Sequence, residues 1–374
     1  LSQAVSADDL GFDDGIAIPI VISATRLQQS VLDTPASITV IDRAMIRALG
    51  ARELPDILRL VPGMVVGRES GSESFVGYHG TSADGARRMQ VLVDGRSIYE
   101  AALARVDWIG LPLDIEDIER IEVVRGPNSA TYGANSFFGV VNIITRSALE
   151  VPNAEVLVRA GDDRIADGFA RLSLHGLGGD WAWSAFHRED SGFDIDARKK
   201  TPYKDDKVVD GVYGKGQYST FNDGQLIFST GFSRMVAEQA RRNDTSIYRE
   251  LPVATLDTGY IAVQLDRRGA AGALVQRGTV AVDRTYLNEL GIKGLGDTAQ
   301  EFLELRYHGD DKLFVPVENI DVLSRYGASE EGAVLDRLGG VAWQSRKARL
   351  KQRIADMADR LIAIAAEQIG RASC

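Results

Sequence analysis

The sequence predicts an α+β domain over the first 148 residues, antiparallel β hairpins after it, and a small β module with a long helix at the C-terminal end. Three observations predict this order. Short apolar runs alternate with short helical segments and many glycines up to residue 148. The apolar pattern then changes to a period of two, and residues 344–374 carry a single apolar stripe at helical spacing.

Composition limits the function. The chain has 374 residues, room for two or three domains, and a net charge of −10, which argues against a protein built to coat nucleic acid. Its only cysteine is Cys374, so no internal disulfide is possible, and with four scattered histidines we expect no structural zinc site. No feature of the sequence supports an enzyme or calls for a cofactor. No stretch approaches the ~18–20 apolar residues of a membrane-crossing helix, whereas the ~9–11-residue strands of a membrane barrel remain compatible.

The first domain begins with clear signals for the starts and ends of its strands and helices. Ile16–Ser23 is a short β-prone run, and Thr34–Asp42 reads as a strand ending at a helix N-cap. A helix over Arg43–Leu49 should stop at Gly50, and a second over Leu54–Leu60 has proline in its first turn, where it is tolerated. Later strands are expected at Met64–Val66, Met89–Val93, Ile121–Val124 and Val140–Ile144.

Alternating runs then predict two hairpins. Ala170–His175 should pair with Trp181–Arg188, and Val212–Phe221 with Gln225–Ser233. The alternation suits either a soluble meander or the lipid-facing wall of a barrel, and periodicity alone does not separate them. About four to six strands precede Arg234, fewer than the ~8 of a closed membrane barrel. Val236–Gln300 is left unassigned as a domain, with Leu251–Val263 compatible with one or two strands and Asp266–Gly278 interpreted as a linker.

Two clusters of charged residues can be interpreted either as functional sites or as solvated surface. The acidic cluster could be paired catalytic carboxylates or a cation site, but its place in a turn leading to a strand favours a solvated face; it comprises Asp114, Glu116, Asp117, Glu119 and Glu122. Asp190–Asp210 could be a calcium-binding outer loop, but the EF-hand spacing is absent and a solvated loop is favoured.

Five segments, in order, closely resemble the plug domain of TonB-dependent outer-membrane receptors: TPASITVI, LPDILRLVPGMVV, MQVLVDGRSIY, LDIEDIERIEVVRGP and YGANSFFGVVNIITR. The resemblance covers about residues 18–146, with one departure, His79-Gly80 where the family usually has Arg-Gly. The signature positions are Asp94, Gly95, Arg96, Glu119, Arg120, Glu122, Arg125, Gly126, Pro127, Tyr132, Gly133, Gly139 and Asn142.

The resemblance implies an outer-membrane plug that gates uptake of a siderophore-like or cofactor ligand and binds a TonB-type energy transducer. In such receptors a short N-terminal segment, the TonB box, pairs with the transducer as an added strand. The best candidate here is Ile18, Pro19, Ile20, Val21, Ile22 and Ser23. The alternative is that these residues form only the first plug strand.

The C-terminal segment carries a second resemblance. Glu301–His308 and Lys312–Val317 read as a hairpin, and a helix is expected over Gln344–Ile369, whose basic opening either contacts nucleic acid or, as we favour, forms a solvated face. FLELRYHGDDKLFVPVENIDVLSRYG and LDRLGGVAWQSRKARLKQRI resemble the polymerase-interacting module of the transcription-repair coupling factor. This implies a small SH3-like barrel binding the RNA polymerase β subunit, with contact candidates Leu303, Leu305, Tyr307, Leu313 and Phe314, or else these five are core.

The expected architecture is therefore an α+β plug domain, antiparallel hairpins of an incomplete barrel, and a small SH3-like barrel with a long C-terminal helix. The expected boundaries are a tail at 1–17, the plug at 18–148, partial barrel strands at 149–235, an unassigned junction at 236–300, the polymerase-interacting-like module at 301–343 and a helix at 344–374. The expected function is a receptor fragment in a chimeric chain that does not transport alone. The alternative is a cytoplasmic polymerase-binding module lacking its ATPase.

Overall fold

The computed structural model describes residues 36–78, 88–99, 105–128, 135–176, 179–193, 205–220, 224–238, 253–268, 274–289, 298–308 and 319–327, with a few positions in 20–34 and Tyr132. In the described strands from residue 267 onward only the backbone is described, except at Ala281. Among all the residues that the structure describes, no helix is long and apolar enough to cross a membrane.

The first domain is built on a five-stranded sheet with strand order β3-β8-β9-β6-β7. All pairs are antiparallel except β6 with β9. Two smaller sheets, β1 with β2 and β4 with β5, accompany it. The strands are β1 Ile20–Val21, β2 Gln29–Ser30, β3 Ser37–Asp42, β4 Met64–Arg68, β5 Ser74–Tyr78, β6 Met89–Val93, β7 Arg96–Ser97, β8 Ile118–Arg125 and β9 Gly139–Thr145.

The helices confirm the capping argument. Helix α1, Arg43–Leu49, begins after Asp42, whose side chain accepts a hydrogen bond from the backbone of Met45, and ends at Gly50 with φ of 64°. Helix α2, Leu54–Leu58, has its proline in the first turn as expected and ends two residues earlier than expected. A short 3-10 helix, Ile115–Asp117, carries the capping box of Asp114 and Asp117.

A nine-stranded antiparallel sheet follows, here called the wall, in which each strand pairs with the next along the chain from β10 to β18. Its strands are β10 Ala154–Ala160, β11 Ala166–Gly176, β12 Gly179–Asp190, β13 Lys207–Thr220, β14 Gly224–Glu238, β15 Val253–Arg268, β16 Leu274–Glu289, β17 Thr298–His308 and β18 Asn319–Gly327. Both hairpins expected from the alternation are present.

The wall extends beyond the expected limit near Arg234. The linker interpretation of Asp266–Gly278 is wrong, because β15 runs to Arg268 and β16 starts at Leu274, and the two strands pair. The segment was misinterpreted because its arginines and glycines resemble the composition of a linker. Such residues are tolerated in strands whose neighbours satisfy the backbone on both sides.

The C-terminal expectations fare differently. Strand β17 pairs with β16 on one side and with β18 on the other, whereas Lys312–Val317, the expected hairpin partner of Glu301–His308, lies outside the described residues. Residues 328–374, including the expected helix, lie outside them as well. The SH3-like barrel remains a prediction.

The core lies between the two domains. One apolar cluster joins buried residues of α1, α2 and the five-stranded sheet to Tyr213, Tyr260, Ala262 and Ala281 of the wall. A second joins Ile109 of the first domain to Phe169, Phe186 and Leu256 of the wall. The inner face of the wall therefore packs directly on the first domain.

Candidate functional site: the contact between the first domain and the wall

The wall has an inverted distribution of side chains. The outward positions of its strands carry exposed apolar residues, among them Val156, Val158, Leu172, Leu174, Val212, Phe232 and Ile261. The inward positions carry buried polar and charged residues, among them Asp167, Arg171, Ser184, Arg188, Asp190, Lys207, Lys215 and Gln217. A soluble meander would bury the apolar set, whereas a lipid-facing wall exposes it and turns its polar face inward.

The outward face is also banded. His187, Asp210, Arg234 and Asp257 are aligned across four strands and form a charged row, with His187 bonded to Asp210 at 2.7 Å and Arg234 to Asp257 at 2.7 and 2.8 Å. The rows between there and Gly179, at the other end of β12, are mostly apolar over a strand length of ~20 Å. Trp181 lies in this region, packed against Trp183, Tyr218 and Phe228.

Connections between β11 and β16 alternate in length. Those at 177–178, 221–223 and 269–273 are short and lie at the Trp181 end, whereas those at 191–206 and 239–252 are long and lie at the charged-row end. Outer-membrane barrels have this asymmetry, with short turns on the periplasmic side and long loops outside.

The first of three polar contacts between the domains is made by the acidic turn, which consists of Asp114 and the short helix Ile115–Asp117. Asp117 accepts hydrogen bonds from Arg171 Nη2 at 2.5 Å and from Ser184 Oγ at 2.9 Å. Glu116 binds Arg43 and, at 2.6 Å, Arg159. The solvated-face interpretation is therefore wrong for Asp114, Glu116, Asp117 and Glu122, which are all buried.

Burial and pairing set the pKa values of the acidic turn. Burial raises the pKa of Asp117 to about 6, and Arg171 and Ser184 limit the rise. Burial likewise raises the pKa of Asp114, against the opposing effect of Arg188. Burial would also raise the pKa of Glu116, but Arg43 and Arg159 outweigh it and hold that pKa below its usual range.

A second contact is built around Arg52, between α1 and α2. Its guanidinium binds Asp167 through two nitrogens at 2.7 and 2.8 Å and Asp190 at 3.1 Å. The bidentate bond to Asp167 raises the pKa of Arg52, so the cation is firmly held. Lys207 completes the cluster, at 2.8 Å from both Asp190 and Glu53.

The third contact uses the DGR turn, defined as Asp94, Gly95 and Arg96. Asp94 and Gly95 have φ of 50° and 86°, as a two-residue hairpin turn requires. Asp94 accepts hydrogen bonds from Thr145 Oγ1 at 2.6 Å and from Lys215 Nζ at 3.0 Å. Burial opposes ionisation of Asp94, but Lys215 and Thr145 prevail and lower its pKa.

A further polar contact lies within the first domain and involves the candidate TonB box. Ser23 is fully buried and donates hydrogen bonds to Glu122 from its backbone at 2.9 Å and its hydroxyl at 2.6 Å. Ile20 and Val21 form β1, while Ile18, Pro19 and Ile22 lie outside the described residues. The strand expected here is thus present over two residues.

The remaining signature residues have structural positions. Glu119, Arg120 and Arg125 lie on β8, and Gly126 follows it with φ of 101°. A side chain at Gly139 would meet the carbonyl oxygen of Val124 at 2.6 Å, so only glycine fits beside β8. Pro127 follows Gly126, and Tyr132 is buried. Gly133 lies outside the described residues, as do His79 and the inner part of Asp190–Asp210.

The polymerase-contact candidates are placed only in part. Leu303, Leu305 and Tyr307 lie at alternate positions of β17, and their side chains are not described. Leu313 and Phe314 lie outside the described residues. No group of acidic, histidine or cysteine residues suited to a metal ion occurs in the part of the chain that the structure describes.

Sequence reasoning missed the wall residues of these contacts, chiefly Arg171, Lys207 and Lys215. The available signal was charge at alternate strand positions: Arg171 lies between Ala170 and Leu172, and Lys215 between two glycines. An isolated charge flanked by small or apolar outward residues marks the inner face of such a strand.

Comparisons with known proteins agree with this arrangement. Residues 30–140 match the family model of the TonB-dependent receptor plug domain, and residues 288–327 match that of the CarD-like/TRCF RID domain. The second match covers the end of β16 and the whole of β17 and β18.

Individual relatives show the same division. The vitamin B12 transporter BtuB of Photobacterium profundum is 32% identical over 208 residues, which are 55% of this chain and 32% of the transporter. The transcription-repair-coupling factor of Rickettsia bellii is 40% identical over 108 residues, 29% of this chain and 9% of the factor. This chain therefore spans a third or less of the length of each.

A solved structure supports the fold. The pyoverdine outer membrane receptor FpvA of Pseudomonas aeruginosa aligns with a TM-score of 0.55 at 18% identity, over 84% of this chain and 49% of the receptor. At that identity the likeness concerns the fold alone. Residues 30–140 are therefore similar to the plug domain of TonB-dependent receptors and are followed by a wall of antiparallel strands, and residues 288–327 are similar to the CarD-like/TRCF RID domain.

Proposed function

We propose that residues 18–238 are the N-terminal part of an outer-membrane receptor whose plug gates energy-coupled uptake of a siderophore-like or cofactor ligand. One observation carries this proposal: the wall exposes apolar side chains outward and buries charged ones against the plug. That distribution is stable only when lipid covers the outside. The vitamin B12 transporters among the relatives and the pyoverdine receptor favour these two ligand classes.

The proposed partner is a TonB-type transducer in the periplasm. The segment around Ile20 and Val21 is suited to strand addition because an extended backbone offers its own hydrogen bonds to an incoming strand. The short connections at the Trp181 end are those we assign to the periplasmic side.

Fractionation of cells expressing the chain tests the receptor proposal. We expect the protein in the outer membrane, with gel mobility that changes on heating as it does for assembled barrels. Recovery in the soluble fraction as folded protein would contradict the proposal. A version ending at residue 238 controls for any contribution of the C-terminal segment.

We further propose that the chain joins two unrelated units and does not transport efficiently by itself. The described wall has nine strands in an open order, and β10 and β18 are not paired with each other. An open edge exposes unpaired backbone groups, which lipid does not satisfy. Sustained ligand uptake by cells expressing only this chain would overturn this proposal.

A second candidate function is binding of the RNA polymerase β subunit by residues 301–343. The match at residues 288–327 and the similarity to transcription-repair-coupling factors favour it. In that case the segment would act in the cytoplasm if expressed separately. Co-purification of residues 288–374 with polymerase is expected, and should be lost when Leu303 and Tyr307 are both changed to Asp.

A further inference from the structure

The buried side chain of Ser23 binds the N-terminal segment to the plug. Its hydroxyl donates to Glu122 Oε2 at 2.6 Å and accepts from Asn142 Nδ2 at 3.0 Å. Glu122 and Asn142 are opposite each other on β8 and β9. Ser23 therefore bridges two neighbouring strands of the plug sheet, and both of its partners are buried.

Asn142 also holds the DGR turn, because its Oδ1 accepts a hydrogen bond from the backbone N–H of Gly95 at 3.2 Å. The direction of every bond in this series is determined. A carboxylate only accepts, so the Ser23 hydroxyl gives its single hydrogen to Glu122 and must accept from Asn142. The carbonyl end of the Asn142 amide is then the end that faces Gly95, whose N–H is a donor.

The DGR turn contacts the wall at two points. Asp94 binds Lys215 at 3.0 Å, and the Arg96 guanidinium lies 3.7 Å from the centre of the Tyr260 ring. The Asn142 side chain is therefore hydrogen-bonded both to Ser23 of the N-terminal segment and to Gly95 of the turn that contacts the wall.

We propose that Asn142 is a positioning residue that transmits displacement of the N-terminal segment to the DGR turn. When Ser23 leaves, the Asn142 NH₂ group loses its acceptor inside a buried site, which is costly. Rotation of the amide toward another acceptor withdraws Oδ1 from Gly95 and loosens the turn on Lys215. The meaning of this relay for gating rests on the proposed receptor function, whereas the coupling itself does not.

Hydrogen–deuterium exchange of the full chain tests the coupling at the Gly95 amide. Ser23→Ala should speed exchange there by about 5- to 10-fold, the factor for one net hydrogen bond of typical strength. Asn142→Ala should have the same effect, and the double variant should add nothing further. Ser23→Thr retains a hydroxyl and should restore slow exchange.

A matched control is Ser184→Ala, which removes a buried hydroxyl at a different plug–wall contact, the one with Asp117. It should leave exchange at Gly95 unchanged. Slow exchange at Gly95 in Ser23→Ala, alongside fast exchange in Asn142→Ala, would overturn the relay, because the segment would then not influence the turn.

A second measurement needs no variant and covers the case in which Ser23→Ala does not assemble. Native-state exchange of the unaltered chain at low denaturant should give the Ser23 and Gly95 amides one shared opening free energy. Opening of Ser23 without Gly95 would contradict the relay. Failure of the receptor proposal has a different signature, namely no outer-membrane assembly or no binding of a transducer's periplasmic domain.

Discussion

Arg171 of the wall and Asp117 of the plug are paired inside the protein, with Nη2 2.5 Å from Oδ1 and side chains 2% and 3% exposed. The pair joins the second wall strand to the turn that opens β8. Because both charges are out of water, each depends on the other and on neighbouring groups such as Ser184.

Removing Arg171 should expose this dependence. Arg171→Leu leaves the buried Asp117 carboxylate without its main partner, and we expect a loss of about 3 kcal/mol in unfolding free energy at pH 7. The loss should be smaller at pH 5, where Asp117 takes up a proton. Denaturant unfolding at both pH values measures this. Arg234→Leu, at an exposed pair, should leave the midpoint unchanged, and an equal effect of the two changes would contradict the argument.

The raised pKa of Asp117 predicts a specific pH dependence. Its folded-state pKa of about 6 lies above the ~3.9 of an unfolded aspartate, so the folded state binds the extra proton between these values. The contribution of Asp117 to the free energy of unfolding is therefore greatest below pH ~4 and declines as the pH rises to ~6. Relative to Asp117→Asn, the wild type should lose up to ~3 kcal/mol across this window.

Asp94 supplies the control of opposite sign. Its pKa is lowered, so its contribution is full above the unfolded value and is lost as the pH falls through that value toward its folded pKa. Relative to Asp94→Asn, the wild type should lose stability on acidification below pH ~4. Thermal unfolding of both variants between pH 3 and pH 7, in steps, checks the two signs, and a common sign would contradict the assignments.

Gly71, in the connection between β4 and β5, should tolerate no side chain. A Cβ there would meet the Asp205 carbonyl oxygen at 2.4 Å and Gly192 Cα at 3.1 Å, both backbone atoms beside the long connection 191–206. Gly71→Ala should cost about 1–3 kcal/mol through overpacking. Gly168→Ala, on the wall with nothing within 4 Å, is the matched control and should be nearly neutral by the same unfolding measurement.

The lipid-facing assignment predicts where charge is forbidden. Leu172→Arg puts a cation in the apolar band and should cost about 2–4 kcal/mol if the residue lies near the bilayer centre. The assembled, heat-modifiable fraction in outer membranes should fall accordingly. His187→Arg, in the charged row at one rim, should assemble normally. Equal assembly of both variants would indicate that the outward face does not meet lipid.

Local chemistry in the sequence was sufficient for the elements of the plug. Asp42 and Gly50 bound α1 because capping and left-handed backbone geometry depend on residues within one turn. Met89–Val93 was predicted without error. The order of five motifs also predicted the plug family, which the comparison over residues 30–140 confirms.

Local sequence did not predict which charged residues are buried. The acidic turn looked solvated because its carboxylates are close in sequence, and only the wall, more than 40 residues further along the chain, brings Arg159 and Arg171 to them. Likewise, the end of β15 and the start of β16 have a composition typical of linkers, and they are strands because they pair with each other.

Local sequence was enough to predict the helices and most of the strands of the plug, and which faces of the early wall strands are apolar. Those properties follow from propensity, capping and side-chain period, all of which act over a few residues. The tertiary structure alone decided which face turns inward, which charges are paired, and that Asn142 lies between Ser23 and Gly95. Such relationships join residues 47 to 119 positions apart, and a local pattern carries no record of them.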